Sequence, residues 1–265
     1  MELAGKSVLL SGATGGLGRA IAQALAGRGA TLVLSSRKRE ALEELARSLP
    51  GEGHRVVVAD LADDGAAQRL ASEAGEVDVL VANAGLPASG KLLDFSQEEI
   101  GRALRVNIEA PIRLTRELLP PMRERGAGHL VYISSLAGKV ASARSSLYSA
   151  TKFGLRGFGL ALREDLRGSG IGVSVVMPGF IREAGMFHES GTKSPLGTST
   201  PQEVGDGVVD AIERDRGEVE IAPRIQRLLA GFAHRRPELA GRITSRGGRA
   251  SKVGDDLARG QADKR

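Results

Sequence analysis

The chain has no cysteine and no tryptophan, and aromatic residues fill only 3% of its 265 positions. Without cysteine there can be no disulfide and no thiolate zinc site. Its four histidines, at 54, 129, 188 and 234, are scattered without ligand spacing, so no metal is expected. No apolar run approaches the roughly 18 residues of a membrane span, and no secretory leader opens the sequence. A soluble cytoplasmic protein is the default expectation. Fixed-period repeats are missing as well. Charge of one sign is scarce outside the end of the chain. Residues 241–265 hold seven Lys/Arg against three Asp/Glu, a net of +4, whereas residues 1–240 hold 30 against 29, a net of +1. The overall +5 is therefore largely a property of the tail and gives no reason to expect a nucleic-acid partner.

What is present fits one α/β domain. Short apolar runs, Ser7-Val8-Leu9-Leu10, Thr31 to Ser36, Arg55 to Ala59, Val77 to Val81, Leu130 to Ile133, Ile171 to Met177 and Val219 to Ile221, alternate with helical patterns. Continuous apolar strands separated by helices imply a parallel sheet buried on both faces, hence a doubly wound Rossmann-type architecture of about seven strands. The first strand leads into Ser11-Gly12-Ala13-Thr14-Gly15-Gly16-Leu17-Gly18 and then a helix. Such a turn presents backbone N–H groups and a positive dipole end to a pyrophosphate, and glycine lets the backbone come close. The spacing is Gly-x-x-x-Gly-x-Gly. At the end of the second strand stands Ser36-Arg37-Lys38-Arg39, without the acid that would bind a ribose 2′-hydroxyl. Hydroxyls and cations there suit a 2′-phosphate; the alternative is a solvated charge run opening a helix. Asp60-Leu61 and Asn83-Ala84-Gly85 end the third and fourth strands. At strand carboxyl ends they either touch a cofactor or serve as a cap and a turn.

Ser96 to Met122 reads as a long helical region opened by a Ser96/Glu99 capping box and disturbed near its end by Pro120-Pro121. Within it Asn107, among apolar neighbours, needs buried partners and is either a structural polar or a site residue. Ser134-Ser135 end the fifth strand, and Tyr148 and Lys152 stand four apart where the next helix starts, so phenol and ammonium share a face. An ammonium beside a phenol is expected to lower the tyrosine pKa, which suits proton transfer to a carbonyl oxygen. Pro178-Gly179 break the sixth strand. Residues 180–200, with Phe180, Ile181, Met186 and Phe187, have the makings of a substrate lid. Residues 223–244 form one or two basic amphipathic helices carrying Leu228, Leu229, Phe232 and Leu239, and residues 245–265 have the composition of a disordered tail.

Over residues 5 to about 222 these motifs, in this order and at these intervals, resemble the short-chain dehydrogenase/reductases. The resemblance implies an oxidoreductase that moves a hydride between a nicotinamide cofactor and a carbonyl or alcohol. It makes Tyr148 the proton donor or acceptor. Lys152 lowers the phenol's pKa and holds the nicotinamide ribose, Ser135 orients the substrate oxygen, and Asn107 fixes a water in the proton path. The cofactor would lie along Gly12, Thr14, Gly15, Gly16, Leu17, Gly18, Ser36, Arg37, Asp60, Leu61, Asn83, Ala84, Gly85, Tyr148, Lys152, Pro178, Gly179 and Ile181. Ser11 replaces a usual Thr, and Glu183 stands near where the family often has a Thr for the carboxamide.

NADP(H) is expected in preference to NAD(H), with a small, hydrophobic carbonyl or alcohol as substrate. Apolar surplus on the helices near 97–122 and 147–167 implies a homodimer or homotetramer. A peripheral membrane contact through residues 223–244 is a lesser expectation, because their charge is modest. The alternative from another class, a non-enzymatic dinucleotide-sensing protein, would be expected to have lost Tyr148 or Lys152. The chain divides accordingly into a catalytic domain over 1–222, a helical segment over 223–244 and a tail.

Overall fold

The computed structural model describes residues 1–183, 194, 196–246 and 260. Of the expected lid, Gly185, Met186, Phe187 and Gly191 therefore lie outside the described residues, as does nearly all of the expected disordered tail.

Seven parallel strands form one sheet: β1 (Ser7–Ser11), β2 (Thr31–Ser36), β3 (Arg55–Val58), β4 (Val79–Ala82), β5 (Gly128–Ile133), β6 (Ile171–Pro178) and β7 (Glu218–Ile221). Their order is β3-β2-β1-β4-β5-β6-β7. The order reverses between β1 and β4, the crevice where ligands of such sheets bind. Each strand feeds both cores by simple alternation. Val8 and Leu10 pack on one side with Leu32, Leu34, Val79 and Val81; Leu9, Val33 and Leu80 point to the other.

Helices α1 (Gly16–Ala26), α2 (Arg39–Ser48) and α7 (Pro201–Glu213) cover the first face, through Ile21, Leu25, Leu42, Leu45, Val204, Val208 and Ile212. Helices α3 (Ala66–Ala74), α5 (Ala110–Arg125) and α6 (Ser146–Asp165) cover the second, through Leu70, Leu114, Leu118 and Leu155. The short α4 (Gln97–Leu104) runs into α5 through a π-helical turn, Arg105–Glu109. The capping box at Ser96 is formed in both directions. Pro120 and Pro121 do not end α5, which continues to Arg125. Each proline removes a bond to the residue four earlier, and here those are exposed Arg116 and half-buried Glu117, whose carbonyls can turn to water. After β7 come α8 (Arg224–Arg235) and α9 (Pro237–Arg246), so the basic segment is two helices.

His129, on β5, is 2% exposed, and its Nε2 lies 2.8 Å from Ser174 Oγ. Burial pulls its pKa from 6.5 down to about 4, against a smaller upward pull from Asp215. As pH falls below 6.5 the unfolded chain takes up a proton that the folded chain refuses until about 4, so stability is lost across that window. At 1.36 kcal/mol per unit the loss approaches about 3 kcal/mol. Urea unfolding of His129→Gln at pH 7 and pH 4.5 should show a smaller difference than in the unmodified chain.

Candidate active site

The cofactor half of the site is built from close backbone approaches at the ends of β1 and β4. Gly12 has φ +65°, and a Cβ there would stand 2.8 Å from Ala84 Cα. At Gly18 a Cβ would lie 2.2 Å from the Gly12 carbonyl oxygen. Ser11 Oγ accepts from the amides of Asn83 and Ala84, both at 3.2 Å, and Asn83 Nδ2 donates to the carbonyls of Ser11 (3.2 Å) and Gly12 (3.0 Å). The hydroxyl at Ser11 and the Asn83-Ala84-Gly85 turn thus brace the glycine-rich loop. In this chain Asn83 acts as a loop clamp.

Unlike α4 and α7, which carry full capping boxes, α1 begins at Gly15-Gly16 with no side-chain cap and no acid in its first turn. The amides of Gly16, Leu17 and Gly18 head a positive dipole end, so the turn fits a pyrophosphate. Thr14 Oγ1 donates to Ser36 Oγ at 3.0 Å, tying the loop to the end of β2. Arg37 is mostly exposed, and its Nη1 lies 3.9 Å from Asp60 Oδ2; Arg102 Nη2 approaches the same oxygen at 3.5 Å. Asp60 Oδ1 accepts from the Ala62 amide at 3.0 Å, and Leu61 packs into the core beside it. Arg37 and Asp60 line a surface hollow of ≈ 430 Å³ with Arg69 and Glu73 at the edge of β3. A guanidinium beside the Ser36 hydroxyl at the end of β2 is the donor chemistry that a 2′-phosphorylated ribose would need there.

The second half gathers at the ends of β5 and β6. Lys152 is 3% exposed, and its Nζ donates to the Ile133 carbonyl at 2.9 Å. Ser134 Oγ donates back to the Lys152 carbonyl at 2.9 Å, so β5 and α6 are stitched at both ends of the lysine. Their approach needs a glycine in the intervening turn: a Cβ on Gly138 would sit 2.6 Å from both the Lys152 carbonyl oxygen and Ser134 Oγ. Tyr148, one helical turn before Lys152, is half-buried and hydrogen-bonds with Ser135. The Ser135 hydroxyl also accepts from the Ala137 amide at 3.1 Å and reaches the Pro178 carbonyl at 3.4 Å. Lys152 Nζ lies 5.8 Å from the centre of the Tyr148 ring.

The expected lowering of the tyrosine pKa is reversed in the chain by itself. Burial raises the Tyr148 phenol above 10, and the Ser135 hydrogen bond offsets only part of that. Burial also pulls the Lys152 ammonium from 10.5 down to about 8. The first proton to leave this pair on raising the pH is the lysine's.

Asn107 is fully buried in the π-turn. Its Oδ1 accepts from the Leu86 amide at 2.6 Å and its Nδ2 donates to the Leu86 carbonyl at 3.0 Å, with Thr151 Oγ1 at 3.5 Å. Pro111, four residues on, has no N–H to offer the Asn107 carbonyl in an α-turn, and the helix widens to a π-turn here. The side chain is thus a clamp on the loop after β4.

Gly179 donates from its amide to the Ile221 carbonyl at 2.9 Å. Ile181 buries its side chain in the core and bridges to Ser199, while Glu183 has φ +70° and pairs with Arg182. Sequence reasoning missed Gln226, which is 5% exposed on α8. Its Oε1 accepts from the Phe180 amide at 3.4 Å, and its Nε2 donates to the carbonyls of Gly197 (2.7 Å) and Leu196 (3.5 Å). One amide therefore holds both arms of the loop between β6 and α7. The available signal was a lone uncharged polar residue, with Ala230 one turn on, inside an otherwise basic and apolar helix.

The chain matches the short chain dehydrogenase family over residues 6–195 and belongs to it. It is 40% identical over 225 residues to Ketoacyl reductase HetN of Nostoc sp. (strain PCC 7120 / SAG 25.82 / UTEX 2576), covering 82% of this chain and 78% of that one. To the Dehydrogenase/reductase SDR family member 7B of Mus musculus it is 41% identical, across 66% of this chain and 57% of that longer protein. It is 33% identical to the 3-oxoacyl-acyl-carrier-protein reductase FabG of Escherichia coli (strain K12), across 68% and 75% of the two chains. Among solved structures, a short-chain dehydrogenase from Sphingobium yanoikuyae in complex with NADPH superposes with a TM-score of 0.76 at 28% identity, covering 81% of this chain and 87% of that one. The expected family and the doubly wound fold are both borne out.

Replacing Gln226 with Leu leaves a side chain of similar size but removes the 2.7 Å hydrogen bond to the Gly197 carbonyl. A buried unpaired group costs about 1–3 kcal/mol, which for a chain of this size lowers the melting temperature by roughly 2–4 °C per kcal/mol. Calorimetry should show that drop. Titration of the variant should show weaker cofactor binding, because the loop Gln226 holds begins with Gly179 and Ile181, two of the expected cofactor contacts.

Proposed function

We propose that the chain is an NADP(H)-dependent reductase of a hydrophobic 3-oxoacyl thioester or closely related ketone, with Tyr148 as the acid. The observation that carries this reading is the convergence of Ser135, Tyr148 and Lys152 at the ends of β5 and β6, beside a glycine-rich turn free of competing caps. Two of the similar proteins are named as ketoacyl reductases and one is an NADPH complex, which favours this substrate class and cofactor. When bound, NADPH supplies the hydride to the carbonyl carbon. Ser135 donates a hydrogen bond to the substrate oxygen and aligns it with the Tyr148 hydroxyl. Tyr148 gives its proton to that oxygen as negative charge develops, yielding the alcohol. The Lys152 ammonium, one turn away, stabilises the phenolate left behind. The proton is returned to Tyr148 from solvent by way of Lys152, with a water fixed at Asn107 in that path. The same reading includes a homodimer or homotetramer, supported by Ile112 on α5 and Phe153 on α6, both 36% exposed.

Ser36 and Arg37 select the cofactor. A 2′-phosphate beside Arg37 gains charge-assisted hydrogen bonds of about 1.5–3 kcal/mol, roughly ten- to a hundredfold in affinity. Arg37→Ala should weaken NADPH by that factor and leave NADH nearly unchanged, measured by fluorescence titration. Equal loss for both cofactors would show that the arginine serves only the local fold.

Tyr148→Phe should lower turnover by roughly 10²-fold or more while cofactor affinity holds. The reductive rate should fall on the alkaline side with a midpoint near the Lys152 value of about 8, because burial pulls the ammonium's pKa down while it pushes the phenol's up. A pH profile of 3-oxoacyl thioester reduction, followed at the nicotinamide absorbance, checks this. Near-normal turnover in Tyr148→Phe would remove the assignment.

A further inference from the structure

The outward face of α8 breaks the usual rule for a surface helix. Ile225, Leu228, Leu229 and Phe232 stand at i, i+3, i+4 and i+7, the spacing of an apolar stripe. That stripe normally faces the core. Here it faces out: Leu228 is 71% exposed, and Ile225, Leu229 and Phe232 are 42–47% exposed. The helix instead turns Gln226 and Ala230 to the body. On α9, Leu239 and Ile243, one turn apart, are also exposed.

Charge is concentrated on the same two helices. Residues 224–246 hold six arginines and one glutamate, a net of +5, while residues 1–223 hold 26 basic and 28 acidic residues, a net of −2. The whole positive surplus of the body and helices together therefore lies on α8 and α9. An isologous dimer through this face would set +5 against +5. The chain after residue 246 is itself net positive and has only Val253 and Leu257 as apolar side chains larger than alanine, so it offers neither the charge nor the surface to cover the stripe.

We propose that α8 and α9 form a docking surface for an anionic lipid bilayer, with Ile225, Leu228, Leu229, Phe232, Leu239 and Ile243 entering the interface and the arginines meeting the headgroups. Among the described residues no helix is long and apolar enough to cross a membrane, so the contact is one of lying on the surface. Gln226, on the body side of α8, holds both arms of the loop after β6, so the docked face adjoins the loop that borders the substrate side of the site. A lipophilic substrate could then enter from the bilayer. The substrate part of this inference rests on the proposed reductase reading; the docking part does not.

The test is flotation of the full chain with vesicles of phosphatidylcholine alone and with about one lipid in three replaced by phosphatidylglycerol. The chain should float with the anionic vesicles, far less with the neutral ones, and be largely released as the Debye length shrinks to about 3 Å at 1 M salt. Each arginine near the surface contributes roughly fivefold in partition. Leu228→Glu, at the most exposed apolar position of α8, should lower partition by roughly tenfold or more with unchanged melting temperature and soluble-substrate turnover. Failure to float, or equal flotation on both vesicles, overturns the proposal. So does flotation that survives Leu228→Glu, or light scattering in which Leu228→Glu converts an oligomer to a smaller species, since a second copy would then be the occupant. Turnover of a water-soluble ketone is read separately, so loss of the reductase reading and loss of docking are distinguishable.

Discussion

The buried ammonium of Lys152 is the constraint on which the rest of the site depends. Burying a cation without compensation is expensive, and the chain supplies the Ile133 carbonyl at 2.9 Å as its acceptor. That contact requires β5 to end where it does and α6 to lie hard against it. Gly138 allows the approach, and Ser134 closes it from the other side by bonding the Lys152 carbonyl. With Lys152 fixed, Tyr148 one turn earlier is fixed as well, and Ser135 meets its hydroxyl. The same burial lowers the lysine pKa to about 8 and raises that of the phenol. Position and proton affinity are thus set by one packing decision.

Much of this was legible in the sequence because a parallel sheet writes itself plainly. Strands buried on both faces must be continuous apolar runs, and the seven were found nearly in place. The small errors have local causes. The fourth strand was expected at Val77 and begins at Val79, because the Asp78 carboxylate accepts from the Ser7 amide and its backbone turns the chain into the sheet. Tyr148, Lys152, Ser135 and the glycine turn were legible because their spacing along strand and helix brings them to one edge. The direction of the Tyr148 shift was not, since it comes from desolvation, a property of the packed chain rather than of a neighbour four residues away.

Asn107 is an intermediate case. Its type and its apolar surroundings announced a buried polar group in need of partners. Pro111, four residues on, lacks the N–H that an α-turn would offer the Asn107 carbonyl, and the helix takes a π-turn there. The wider turn lets the Asn107 amide grip Leu86 from both sides, much as a neighbouring strand would. The sequence held both residues, but linking them requires knowing that the helix widens there.

Gln226 and the stripe on α8 show why orientation is the hardest thing to read. An i, i+3, i+4, i+7 apolar pattern predicts which residues share a face but not where that face points. The body fixes α8 by another face, centred on a buried amide whose oxygen and nitrogen each reach a different arm of the same loop. A Cβ on Gly179 would stand 2.4 Å from that amide oxygen, so the backbone after β6 is also shaped to receive it. α8 cannot roll its apolar stripe inward without breaking all three contacts. The outward stripe is therefore tied to the frame of the site, because the residue that stabilises the loop is the one that commits the helix to presenting its apolar side to whatever lies outside.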